Sequence, residues 1–95
     1  MRAYVIVNVE VLDAGRYPEY TTQVPATLAA YGGKFIVRGG KAERLEGTYE
    51  PKRIVVIEFP SAEQARAWWS SAEYAGPRAL RQTLANSDLI LVEGV

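Results

Sequence analysis

Residues 3 to 11, Ala-Tyr-Val-Ile-Val-Asn-Val-Glu-Val, alternate a pure valine set (Val5, Val7, Val9, Val11) with a mixed set (Tyr4, Ile6, Asn8, Glu10). Dense β-branching with period two predicts a strand. Neither set is wholly polar, so this strand has apolar side chains to bury on both faces. Arg53-Ile54-Val55-Val56-Ile57-Glu58-Phe59, closed by Pro60, reads as a second clear strand of the same kind, and Asp88 to Glu93 as a shorter one. Beyond their first residues, only Asn8, Glu10, Glu58 and Glu93 interrupt these runs. An antiparallel sheet with one wet face alternates cleanly. Whatever this chain folds into must therefore cover both faces of its sheet.

The segments between the strands read as helices. Tyr17, Tyr20, Val24, Leu28 and Tyr31 recur at helical spacing and end at Gly32-Gly33. Pro25 lies within that stripe, which predicts a kink or break near Thr22 to Val24. Lys34 to Arg38 is a further strand, and Ala42 to Leu45 a short pairing segment before a turn region at Gly47 to Pro51. Ser61 followed by Gln64 is the capping-box pattern, opening a helix with Ala65, Trp68, Trp69 and Ala72 inward. Gly76-Pro77 predicts a helix restart, with Leu80 and Leu84 as its buried pair.

The resulting order, strand, helix, two strands, helix, strand, is the split βαβ arrangement of a ferredoxin-like α+β sandwich: a βαββαβ chain with a four-stranded antiparallel sheet and helices on one face. With 95 residues it is a single domain over 1–95. Two helices cover only one face, so a second copy of the chain is expected on the other, as a homodimer closed sheet to sheet.

Composition narrows the chemistry. There is no cysteine and no histidine. Thiolate zinc, haem and iron-sulfur sites are thereby excluded, as are Ser-His and Cys-His nucleophiles and the usual general base near neutral pH. No metal site and no cofactor is expected. Eleven basic residues balance eleven acidic ones, which argues against nucleic acid as a partner. No apolar run approaches the ~20 residues of a membrane span, and the start carries no signal-peptide pattern, so a cytoplasmic chain is expected.

Arg38-Gly39-Gly40, at the end of the strand Phe35-Ile36-Val37, is the leading candidate for binding. A fixed planar cation beside two residues without side chains suits a carboxylate, phosphate or enolate. The competing reading is an ion pair between Arg38 and Glu58 or Glu46, with the glycines as an ordinary turn. Tyr74 and Arg78 share a helical face if the helix is continuous across Gly76-Pro77, and a tyrosine beside an arginine can donate or relay a proton. Trp68 and Trp69 point about 100° apart on a helix; one is core, and the other walls a pocket or faces the dimer seam. Asn8 lines that seam if the valines face the helices, and the helix-side pocket if they do not.

Tyr31-Gly32-Gly33, Arg38-Gly39-Gly40, Glu46-Gly47, Ile57 to Ser61, Ala65 to Trp69, Ser71 to Tyr74, Arg78 and Val92-Glu93-Gly94 together resemble the small bacterial family called domain of unknown function family 1330. The resemblance spans nearly the whole chain and implies a dimeric α/β barrel built on the ferredoxin-like fold. Its wider superfamily includes cofactor-independent mono-oxygenases, muconolactone-type isomerases, haem-binding members and members without known catalysis. The oxygenases use asparagine, tryptophan, tyrosine and arginine, types present here in Asn8, Trp68 or Trp69, Tyr74, and Arg38 or Arg78. The expectation is a cofactor-independent enzyme acting by proton transfer or oxygen insertion on a small aromatic or enolisable organic acid. Tyr74 and Arg38 would be its catalytic residues, and Arg38, Gly39, Gly40, Asn8, Trp69 and Arg78 its ligand contacts. The alternative is a non-catalytic dimeric module for a small ligand or a partner protein.

Overall fold

The computed structural model describes all 95 residues. The valine-alternating run forms β1 (Ala3–Val11), with Val5, Val7 and Val9 buried and Tyr4, Ile6 and Asn8 half-buried on the opposite side. Two short helices follow, α1 (Tyr17–Thr21) and α2 (Val24–Ala29). The break between them falls where Pro25 predicts it, because in the first turn of α2 its missing N–H leaves no helical bond unmade. Tyr17, Tyr20, Val24 and Leu28 form the buried stripe. Gly32, at φ 74°, then reverses the chain, and the Gly33 N–H donates to the Leu28 carbonyl at 3.0 Å.

Next comes β2 (Lys34–Arg38), then a stretch from Gly39 to Lys52 with no strand. The pairing segment expected over Ala42–Leu45 does not form. Its residues are exposed, so no apolar face draws them onto the sheet, and the segment is instead tied by an Arg44–Glu50 ion pair. β3 (Arg53–Phe59) leads through Pro60 to Ser61, whose Oγ accepts from the Gln64 N–H at 3.2 Å and caps α3 (Ala62–Trp69).

The last helix departs from expectation. No restart occurs at Gly76-Pro77; α4 runs continuously over Ala72–Leu84 with Pro77 buried inside it. The break lies earlier, at Ser70-Ser71. There the Ser71 Oγ accepts from the Tyr74 N–H at 3.1 Å and donates to the Trp68 carbonyl at 2.8 Å, ending α3 and starting α4 with one hydroxyl. Ala72, expected inward, is exposed as a result. α4 passes without a loop into β4 (Ala85–Glu93), three residues longer at its start than the sequence suggests.

The sheet order is β2-β3-β1-β4, antiparallel throughout. Val7 lies opposite Val55 on one side and Leu89 on the other, so these residues share the face that the helices cover. This is the ferredoxin-like arrangement. Tyr4, Ile6, Ile54, Val56, Ile90 and Val92 project from the other face, which no helix covers. The Cα extents of 34 × 32 × 17 Å are those of a two-layer slab.

Candidate functional site

On the helix-covered side, a narrow cleft with an inner volume of about 30 Å³, opening to solvent at its mouth, lies between the sheet and the four helices. Valines and leucine from the sheet make one wall, since the alternation of β1 sends every valine of Val5, Val7 and Val9 inward. Helix periodicity makes the other wall: Tyr17 and Tyr20 lie one turn apart on α1, and Tyr74 and Arg81 two turns apart on α4.

Tyr74 is wholly buried, between the Trp68 ring at 4.0 Å and the Tyr20 ring at 6.5 Å. Its hydroxyl sits 2.8 Å from that of Tyr20, and the Arg81 Nε donates to it at 3.4 Å. Whichever phenol donates to the other, one hydroxyl hydrogen is left for a third partner. Burial, with the neighbouring Tyr74 second, pushes the Tyr20 phenol well above its ordinary value; burial also raises that of Tyr17, against the lowering effect of Arg53 and Arg81. The Tyr20 phenol is therefore a neutral hydrogen-bond donor at physiological pH and not a base. Trp68, also fully buried, donates from Nε1 to the Thr27 Oγ at 3.1 Å, which fixes the ring that backs Tyr74.

Three arginines line the cleft: Arg38, Arg53 and Arg81. No aspartate or glutamate does, and none of the three joins an ion pair. Arg38 is exposed, its guanidinium 4.2 Å from the centre of the Phe35 ring. Its expected ion-pair partner Glu58 bonds Lys34 at 3.4 Å and Arg2 at 3.8 Å, on the opposite sheet face, while Glu46 pairs with nothing. Arg81 is only 3% exposed, yet its Nη2 has no hydrogen-bond acceptor.

Of the residues singled out from the sequence, the fold brings Arg38, Trp68 and Tyr74 to this cleft and sends the others elsewhere. Asn8 lies on the uncovered sheet face, where its side chain accepts from the Lys52 N–H at 2.8 Å and donates to the Glu50 carbonyl at 3.0 Å, pinning the 39–52 segment. Arg78 does not meet Tyr74. It donates to the Trp69 carbonyl at 2.6 Å and stacks 5.0 Å from the Trp69 ring, finishing α3. Trp69 walls a separate apolar recess against Leu89 and Leu91, and Trp68 is the core member of the pair. Gly39, at φ 74°, admits the Arg53 side chain into the space its own Cβ would fill, and Gly40 faces open space. The glycine pair thus makes room for a second arginine of the cleft.

Arg53 and Arg81 escape the sequence reading. Arg81 falls seven residues after Tyr74 and three before Leu84, inside an apolar stripe where a charged side chain is out of place. That misfit is the signal by which it could have been found.

A ferredoxin-like α+β sandwich with an arginine-lined cleft under its helices is the class that fold and site define. The chain belongs to the family described as domain of unknown function DUF1330, matched over residues 2–95. No curated protein matches it. Among solved structures it is similar to a protein of unknown function from Rhodopseudomonas palustris, at 18% identity and TM-score 0.79, covering 99% of this chain and 82% of that one. It is also similar to SnoaB, a cofactor-independent oxygenase from Streptomyces nogalater, at 14% identity and TM-score 0.69, covering 99% and 93%. A third, a conserved protein of unknown function from Bacteroides thetaiotaomicron, has 18% identity and TM-score 0.58, covering 98% and 97%. At these identities the likeness is one of fold. No helix is long and apolar enough to cross a membrane.

Proposed function

We propose that the protein is a homodimer whose helix-side cleft binds a small aromatic or enolisable organic acid and acts on it without a cofactor, Tyr74 carrying the proton. The observation that carries this reading is a cleft lined by three guanidinium groups and no carboxylate, closed by a buried pair of phenol hydroxyls. Cations set in apolar walls favour the ionised form of whatever enters, an enolate or phenolate above all. The phenol pair supplies hydrogen-bond donors and a transferable proton on the same side. The cleft has electrophilic groups in excess and no basic carboxylate, so it suits substrates already acidic enough to ionise. An ionised enol or phenol can take a proton at carbon or give an electron to dioxygen. The fold shared with a cofactor-independent oxygenase agrees with the second course as well as the first.

Phenylpyruvate, which is both aromatic and enolisable, tests the reading. Wild-type protein should accelerate enol-to-keto conversion, followed by ultraviolet absorbance, and Tyr74→Phe should lose at least tenfold of that acceleration. Binding by calorimetry with no acceleration would leave the non-catalytic module. No binding of this or any co-purified acid, by native mass spectrometry, would remove both.

The dimer is supported by the uncovered sheet face. The chain exposes 5899 Å², against about 5400 Å² expected for a compact monomer of its 10.5 kDa. On that face, along the edge strand β4, Ile90 is 60% exposed and Val92 43%.

A further inference from the structure

Arg81 is a cation placed where the protein alone gives it too little. It projects from the last turn of α4, where the helix dipole favours positive charge. The only side-chain acceptor it reaches is the Tyr74 hydroxyl, through Nε at 3.4 Å, and Nη2 has no acceptor at all. A guanidinium shielded from water to 3% exposure and left without a carboxylate is costly unless something charged completes it. The side chain lines the cleft together with the apolar Val7, Val9 and Leu89.

We infer that Arg81 is the deep anchor of the cleft: the anionic head of a small monocarboxylate docks on its Nη2 and on the free hydrogen of the Tyr20–Tyr74 hydroxyl pair. The flat apolar body of that acid lies against the valine wall. Arg38 and Arg53, nearer the mouth, attract the anion and do not hold its head. This inference rests on the reading of the cleft as an acid-binding site. It adds which cation confers binding, and that the ligand must carry a compact negative head on an apolar body. It also makes the head, and not the ring, the source of discrimination, because a neutral head leaves the buried charge unmatched.

Benzoate and its neutral counterpart benzyl alcohol are the probes, titrated calorimetrically into the purified dimer at neutral pH. Wild type should bind benzoate at least tenfold more tightly than benzyl alcohol. Arg81→Met should bring benzoate down to the level of benzyl alcohol while leaving the alcohol unchanged; Arg81→Lys, which keeps charge without the fork, should recover part of the difference. Arg38→Ala should weaken benzoate only a few-fold. Without ligand, the melting temperature of Arg81→Met should equal or exceed that of wild type, since a methionine of similar length removes an unmatched charge. Undiminished benzoate binding in Arg81→Met would overturn the inference and leave the acid-binding reading intact. A collapse of the ligand-free Arg81→Met fold would overturn it too, making Arg81 part of the core. If wild type binds neither benzoate nor phenylpyruvate at millimolar concentration, both the inference and the reading beneath it fall.

Discussion

Tyr20 and Tyr74 place two phenol oxygens 2.8 Å apart in the core, and the protonation of Tyr20 is part of the fold. The Tyr20 phenol in the folded chain lies well above its ordinary value of 10, chiefly through burial, and that of Tyr17 is raised for the same reason. Above pH 10 the unfolded chain therefore loses phenol protons that the folded chain keeps. Stability contributed by these groups is complete below about pH 10 and declines as pH rises beyond it. Urea midpoints measured from pH 8 to pH 11.5 should fall above pH 10, and the fall should be shallower in Tyr20→Phe. At this scale the sequence carried part of the site. Arg38 and Tyr74 were legible because one breaks an apolar strand end and the other sits in an aromatic helix. Arg53 was not, because the residue that makes room for it, Gly39, is fourteen positions away and meets it only through the β2–β3 pairing.

The elements follow local rules except where two rules compete. Gly76-Pro77 carries two signals against a helix, yet α4 continues through them. Pro77 is the sixth residue of α4, so the bond it forfeits is the one to the Glu73 carbonyl near the helix start. A helix begun at Ser71 has its cap made before it reaches that point. The Ser71 hydroxyl accepts from one helix and donates to the other, so Ser71→Ala should lower stability by about 1–2 kcal/mol in urea unfolding, at the upper end for a cap because the Trp68 carbonyl loses a donor as well. A loss below 0.5 kcal/mol would mean that the α3–α4 junction is set by packing of Trp68 and Tyr74 instead. The Pro25 break and the Ser61 cap were legible because at those positions a single signal acts unopposed.

In the whole molecule, the sidedness of β1 decides what a substitution does. The valine set meets the helices and the mixed set does not, a parity that the alternating pattern poses and only the packing answers. Val7→Asp places a charge against the core and should abolish the cooperative melt. Ile6→Glu, one residue away, places a charge on the uncovered face and should leave a folded monomer, with native circular dichroism and a sedimentation mass near 10.5 kDa. Unfolding in both variants, or a wild-type monomer at tens of micromolar, would refute the sheet-to-sheet dimer. The fold class was legible as a whole because element order and strand composition agree, whereas the cleft was not, since its walls come from all eight elements, whose contacts no local pattern encodes.

The position of β1 at the centre of the sheet also governs how the chain reaches this state. Its two neighbours are β3 and β4, so Ala3 is matched with Phe59 on one side and Glu93 on the other, and the Gly94 N–H donates to the Arg2 carbonyl at 2.7 Å. Pairing partners that distant close large loops before any ladder bond rewards them, which slows folding relative to a helical protein of equal length. During synthesis β1 emerges ahead of both strands that will flank it. For that interval the most apolar strand of the molecule has two open edges, and its survival depends on how soon the rest of the chain follows.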